Sequence, residues 1–165
     1  MSPDWIESAR KHIGLKEFKG SKHNPTIVSW LVKLNAWWRE DETPWCGVFV
    51  GAIMKDSGCD IPKAYYRARE WEKWGVGIKA PAVGCVVTFT RQGGGHVGFV
   101  VGQDKAGNLL VLGGNQGDEV NIRAFPVDRA TSFRWPRDVH GIWQAMPTVK
   151  PLPLLAGVSL TTGEA

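Results

Sequence analysis

Apolar residues along this chain change their spacing near its midpoint. In the first half, Trp5, Ile6, Ala9 and Ile13 recur at helical intervals, and Gly14 closes the segment. Ser2-Pro3 ahead of them offers a hydroxyl cap and then proline at the first helical position. Residues 16–23 (KEFKGSKH) are polar and read as a loop. Asn24-Pro25 repeats the cap-plus-proline signal, and Ile27, Val28, Leu31 and Leu34 predict a second amphipathic helix. A charged loop, REDETP over 39–44, stops at Pro44. The segment that follows, WCGVFVGAIMKDSG, is small and apolar and ends at Gly58, which predicts a buried helix with Cys46 in its first turn. A shorter helix is expected over 65–74, with Tyr66, Trp71 and Trp74 as its large residues.

The second half is short, β-branched and cut by glycine-rich turns. Residues 84–90, 96–102, 108–112 and 119–125 read as strands, with Asp104–Gly107 as a hairpin turn between the second and third. A last strand is expected over 139–145. Helices first and a meander of strands afterwards predict an α+β domain with an antiparallel sheet. Residues 147–165 contain three prolines and no period. They read as a tail, packed in part through Leu152, Leu154 and Leu155, behind a catalytic domain over 1–146.

Composition narrows the class of protein. The 165 residues suffice for one core, and 43% hydrophobic with 22% charged residues is ordinary for a globular protein. Nine tryptophans are not ordinary, and they imply indoles lining a groove as well as filling the core. The net charge of +4 is scattered, with no run resembling a nucleic-acid arm, so no nucleic-acid partner is expected. No apolar run approaches a membrane span, and the amphipathic N-terminus is no signal peptide. The expectation is a monomer made in a host cytoplasm that reaches any extracellular target by other means, such as a holin-type pore. Three cysteines without a C-x-x-C argue against a disulfide framework, leave at least one thiol free and lack zinc spacing, so no metal or cofactor is expected.

The candidate chemistry begins at Cys46. Pro44-Trp45-Cys46-Gly47 puts a thiol where loop becomes helix, where oriented amides favour the thiolate. Its own N–H is placed to serve an oxyanion, and Gly47 leaves room for a substrate carbonyl. Trp45, Gly47 and Gln116 read as oxyanion or substrate-binding positions. Cys59 and Cys85 lack a polar neighbourhood and read as inert. His96 follows Gly93-Gly94-Gly95 at a strand start, which allows close backbone approach. Cysteine at a helix start and histidine at a strand start is the arrangement of papain-like hydrolases. Of the remaining histidines, His12 lies in a helix, His23 in a polar loop and His140 in the last strand. Asn115, Gln116 and Asp118 follow the next strand, and Asn115, nearest its end, is the first choice to orient the imidazole.

In order along the chain, PWCGVFV, GGGHVGFVVG and VLGGNQ resemble the CHAP group, the cysteine, histidine-dependent amidohydrolases/peptidases. Ile13-Gly14-Leu15-Lys16-Glu17 and Asp41-Glu42-Thr43-Pro44-Trp45-Cys46 are similar to segments of its compact phage and prophage members. The resemblance, from about Trp5 to Trp143, implies a papain-like α+β fold and hydrolysis of peptidoglycan amide bonds, commonly as a phage endolysin. It also exposes a departure. Many members carry a histidine-orienting glutamate two residues before the asparagine, where this chain has Gly113. Asp41, Glu42 and Glu17 are further candidates to support the site. The alternatives are a cysteine peptidase or amidase acting on another substrate, and a non-catalytic wall-binding or virion module.

Overall fold

The apolar run after Pro44 forms the helix around which the rest is arranged. In the computed structural model, which describes residues 3–20, 22–41, 43–138, 140, 141, 144 and 151–163, helix α3 spans Cys46–Asp56. Every residue from Cys46 to Met54 in it is buried. A helix apolar on all sides must be covered on all sides. Helices α1 (Asp4–Arg10) and α2 (Pro25–Lys33) lie against it on one flank, and the sheet lies against it on another. Glycine sets how closely its neighbours approach: a Cβ on Gly47 would overlap the Tyr65 carbonyl oxygen. Gly47 therefore serves backbone packing, a role that its reading as space for a substrate carbonyl did not include.

The first two helices start near the expected places with different caps. Asn24 Oδ1 accepts from Thr26 N (2.9 Å), with Pro25 as the first helical residue. Pro3 is itself the residue before α1, its carbonyl accepting from Ile6 N (2.9 Å), and Ser2 lies outside the described residues. Trp5, Ile6 and Ala9 face the core, whereas α1 ends at Arg10 and leaves Ile13 exposed on the following turn. The segment expected as a helix over 65–74 is a 3-10 helix, Ala68–Lys73. It hangs from two indoles: Trp71 Nε1 donates to Tyr65 O and Trp74 Nε1 to Asp60 O, both at 2.9 Å.

Six antiparallel strands form one sheet in the order β1-β6-β2-β3-β4-β5. They are β1 (Val76–Gly77), β2 (Val86–Arg91), β3 (Gly94–Gln103), β4 (Leu109–Gly113), β5 (Asn121–Phe125) and β6 (Ala130–Trp135). The four expected strands correspond to β2 to β5, and Asp104–Gly107 closes the hairpin through Gly107 N to Asp104 O (3.1 Å). The expected strand over 139–145 lies mostly outside the described residues, and His140 and Gly141 form a turn. The strand beside β2 is β6, whose ATSFRW has no β-branched apolar run to announce it. The α+β class with an antiparallel sheet holds.

Alternation along β3 assigns its two faces. Phe99 meets Phe49 of α3, their ring centroids 6.3 Å apart, while His96, three residues earlier, turns to the other side of the sheet. There the imidazole lies nearly parallel to Phe125 (5.4 Å, 7°) and close to Phe89 (6.4 Å, 24°). The tail runs along the sheet by main-chain pairing. Leu155 N donates to Gln103 O, Ala124 N to Ser159 O and Thr161 N to Ala124 O. This covers part of the outer strand β5, whose edge would otherwise present unpaired amides. Of the three leucines expected to pack, Leu152 is buried and Leu154 and Leu155 are exposed.

Candidate active site

Cys46 is the first helical residue of α3, with Trp45 as its N-cap. By helix geometry the amides of the first turn have no intrahelical acceptor, and they point toward the N-terminal end where the thiol sits. Cys46 is only 3% exposed, yet it lines a cleft of about 570 Å³. Trp37, Trp38 and Tyr66 line the same cleft, together with Arg67, Arg69 and Arg91 and the backbone of Gly94 and Gly95. The glycines ahead of His96 do allow close approach. A Cβ on Gly95 would lie 2.6 Å from Arg69 Cδ and 3.1 Å from Phe89 O.

His96 is fully buried, and its Nε2 lies 3.0 Å from Gln116 Oε1. The direction of this bond follows from the other end of the amide. Gln116 Nε2 donates to Asn121 Oδ1 (2.9 Å) and Asn121 O (3.0 Å), with Val111 O at 3.3 Å. All three are oxygens aimed at the amide nitrogen, so the oxygen of Gln116 must face the ring. The ring nitrogen it meets must then carry the hydrogen, which leaves Nδ1 as the basic nitrogen of the neutral imidazole. Asn121 Nδ2 donates back to Gln116 O (2.8 Å) and completes the clamp.

This arrangement also accounts for Gly113. A Cβ there would overlap Gln116 Oε1 and come within 3.4 Å of His96 Nε2. The glutamine fills the space that a side chain at 113 would need and makes the bond such a side chain would make. The next two residues reach the helix carrying Cys46. A Cβ on Gly114 would lie 2.7 Å from the Trp45 ring and 2.8 Å from Phe49 Cβ. Asn115, with its amide oriented to satisfy both partners, accepts from Trp45 N (3.3 Å) and donates to Asp118 Oδ1 (3.2 Å). The span Gly113–Asn115 thus touches His96 at one end and the residue before Cys46 at the other. Asn115 itself is turned toward the helix start, and the side chain bonded to the imidazole is its neighbour.

Trp45, Glu17, Asp41 and Asp118 support this frame without lining the cleft. Trp45 is 1% exposed, and its Nε1 donates to Glu17 Oε1 (3.0 Å). Burial raises the Glu17 carboxyl above its ordinary value, against the lowering effect of that indole bond. Asp41 is fully buried and ties two loops together, accepting from Phe18 N (2.7 Å), Asn24 N (2.8 Å) and His23 Nδ1 (3.2 Å). Burial alone would raise its carboxyl. The amides of Asn24 and Phe18, then His23, outweigh that and hold it below the usual carboxylate range. Asp118 closes the turn after β4 with φ +64°, and Glu42 lies outside the described residues.

His12 sits edge-on to Trp30 and Phe49 beyond the end of α1, and its ring is pushed toward the neutral form by burial and by Lys33. The other thiols are poorly suited to attack. Burial pushes Cys59 up to about 11 and Cys85 up to about 12. Among the described residues, no group of three or more His, Cys, Asp or Glu could hold a metal ion, and no helix is long and apolar enough to cross a membrane. The aromatic and arginine walls of the cleft were not foreseen residue by residue. They are assembled from separate stretches of sequence, and only the tryptophan count hinted at a lined groove.

Residues 38–115, just under half of the chain, match the model of the CHAP domain. The matched stretch contains both Cys46 and His96. It indicates a hydrolase of the amidase or peptidase type that depends on cysteine and histidine, a class that often acts on peptidoglycan. No curated protein matches the chain.

Proposed function

We propose that the protein is a peptidoglycan hydrolase of the phage endolysin kind, in which Cys46 is the nucleophile and His96 its base. The observation that carries this reading is the pinned imidazole. Gln116 fixes the hydrogen on Nε2 and leaves Nδ1 basic, while Gly113–Asn115 links that ring to the helix start bearing the thiol. In this proposal Gln116, rather than Asn115, orients the histidine. Asn115 holds the backbone just before the nucleophile.

The chemistry follows from those roles. For this step the His96 ring, which lies on the face of β3 away from α3, must come within reach of Cys46. Its Nδ1 then takes the proton from Cys46 Sγ, and the thiolate attacks the carbonyl carbon of a wall amide. The oxyanion is held by the Cys46 N–H, where the helix start favours negative charge. The C–N bond breaks as the imidazolium returns the proton to the leaving amine, which forms a thioester. Water, deprotonated by His96, then attacks the thioester, releases the acid and restores the thiol. The lysin role rests on the likeness of 13–17 and 41–46 to segments of phage and prophage members, with release to the wall through a holin-type pore.

Purified peptidoglycan incubated with the wild type and with Cys46→Ala, followed by mass spectrometry of the soluble products, tests this reading. The expected result is a new free amine on alanine, a diamino acid or glycine with the wild type alone, with the variant folded and still bound to the wall. Equal release by both proteins would leave only a non-catalytic role.

A further inference from the structure

The cleft holding Cys46 is lined by both aromatic and cationic side chains. Trp38 lies edge-on to both Trp37 and Tyr66, with centroid distances of 5.4 and 5.6 Å. Trp37 is 88% exposed, so none of the described residues covers its indole. The same lining carries Arg67, Arg69 and Arg91, and no acidic side chain lines the cleft among the described residues. Arg69 is matched by Glu72, which sits outside the lining. Arg67 and Arg91 are not. The Arg67 guanidinium rests 5.8 Å from the centre of the Tyr66 ring. Among the described residues Arg91 donates to main-chain oxygens, Gly95 O at 3.0 Å and Gln92 O at 3.4 Å. Neither has a carboxylate partner among the described residues.

Arginine presents a planar fork of donors that fits a carboxylate, and stacking on a ring orders the fork before any ligand arrives. Two guanidinium groups with no counter-ion among the described residues, one of them held on a ring, line the cleft that also contains a thiol and mark where negative charge belongs in the bound state. Building on the hydrolase reading, we infer that the substrate is an anionic peptide with a free carboxylate close to the scissile amide. Arg67 and Arg91 bind that carboxylate, and the Trp37–Trp38–Tyr66 wall packs on the neighbouring apolar or sugar face. In wall chemistry this selects stems whose acidic residue keeps its carboxylate over stems in which it is amidated.

The test uses binding, so that it does not depend on turnover. Cys46→Ala protein is titrated with one soluble stem peptide in two forms, with the acidic residue's carboxylate free or amidated, and tryptophan fluorescence reports occupancy. The expected result is about tenfold or more tighter binding of the free acid, the scale of a charge-assisted hydrogen bond. That ratio should fall toward one in Cys46→Ala/Arg67→Gln and in Cys46→Ala/Arg91→Gln, while Arg67→Lys in the same background retains part of it. Equal affinity for the two forms, no binding of either, or a ratio untouched by both glutamine substitutions would overturn the inference. Wall cleavage by the wild type alongside equal affinities would leave the hydrolase reading intact. Carboxylate-dependent binding with no cleavage would sink that reading and leave Arg67 and Arg91 as a carboxylate-binding site alone.

Discussion

Replacing Gln116 by alanine removes a side chain that is 1% exposed and bonded at both ends. Its nitrogen loses the two Asn121 oxygens and its oxygen loses His96 Nε2. At about 1 kcal/mol per neutral hydrogen bond, the fold should lose roughly 2–3 kcal/mol. At about 2–4 °C per kcal/mol for a chain of this size, Tm should fall by roughly 5–10 °C. The effect on turnover has a separate origin. When His96 takes the thiol proton it becomes a cation, and the bond to Gln116 becomes charge-assisted, worth about 1.5–3 kcal/mol. Losing it predicts a fall in kcat of about ten- to a hundredfold, measured at a temperature where the variant is folded. Nitrogen-15 NMR of the imidazole gives a readout that stability does not move: the wild type should show the hydrogen on Nε2, and Gln116→Ala a mixture of tautomers. Full activity and an unchanged tautomer in Gln116→Ala, with both lost in Asn115→Ala, would refute the assignment and return the orienting role to Asn115.

Two further substitutions test the frame around the site. Asp41→Asn keeps one oxygen for the two backbone amides, which share Oδ2, but removes the charge that strengthens both bonds and sets an amide donor against His23 Nδ1, and should cost about 1–3 kcal/mol at neutral pH. Because the folded carboxyl lies below its unfolded value, that stabilisation is present above an unfolded value of about 4 and is lost as pH falls through the lower folded one. Denaturant midpoints of wild type and variant should therefore converge in acid, and a gap that persists there would contradict this origin. Gly47→Ala forces a methyl against the Tyr65 carbonyl and should destabilise by about 1–3 kcal/mol despite alanine's better helix propensity. An unchanged midpoint would mean that the backbone at Tyr65 moves aside readily.

Much of this architecture could be read from residue spacing, because burial imposes period. The apolar stretch after Pro44 had to be a covered helix, and β2 to β5 announced themselves through β-branched runs between glycine turns. β6 was not legible, since Thr131, Ser132 and Arg134 break the apolar signal of a strand that is only half buried. The 3-10 character of Ala68–Lys73 also escaped notice, being set by two indoles bonded to distant carbonyls. At the site, Cys46 and His96 stood out by local context, helix start and glycine-rich approach. The choice between Asn115 and Gln116 could not be made from order along the chain. It depends on how a turn with φ +58° at Asn115 swings two consecutive side chains to different partners. The arginine lining was invisible for a similar reason, since Arg67 and Arg91 border one cleft only in the folded chain.

The central claim is that His96 activates Cys46, and the pH dependence of thiol alkylation tests it most directly. Burial leaves Cys59 and Cys85 protonated far above neutrality, so iodoacetamide at pH 7 should label Cys46 alone, as located by peptide mass mapping. The account predicts that this labelling persists below pH 8 in the wild type and drops steeply there in His96→Asn. A rate profile for Cys46 that is the same with and without the imidazole would contradict it.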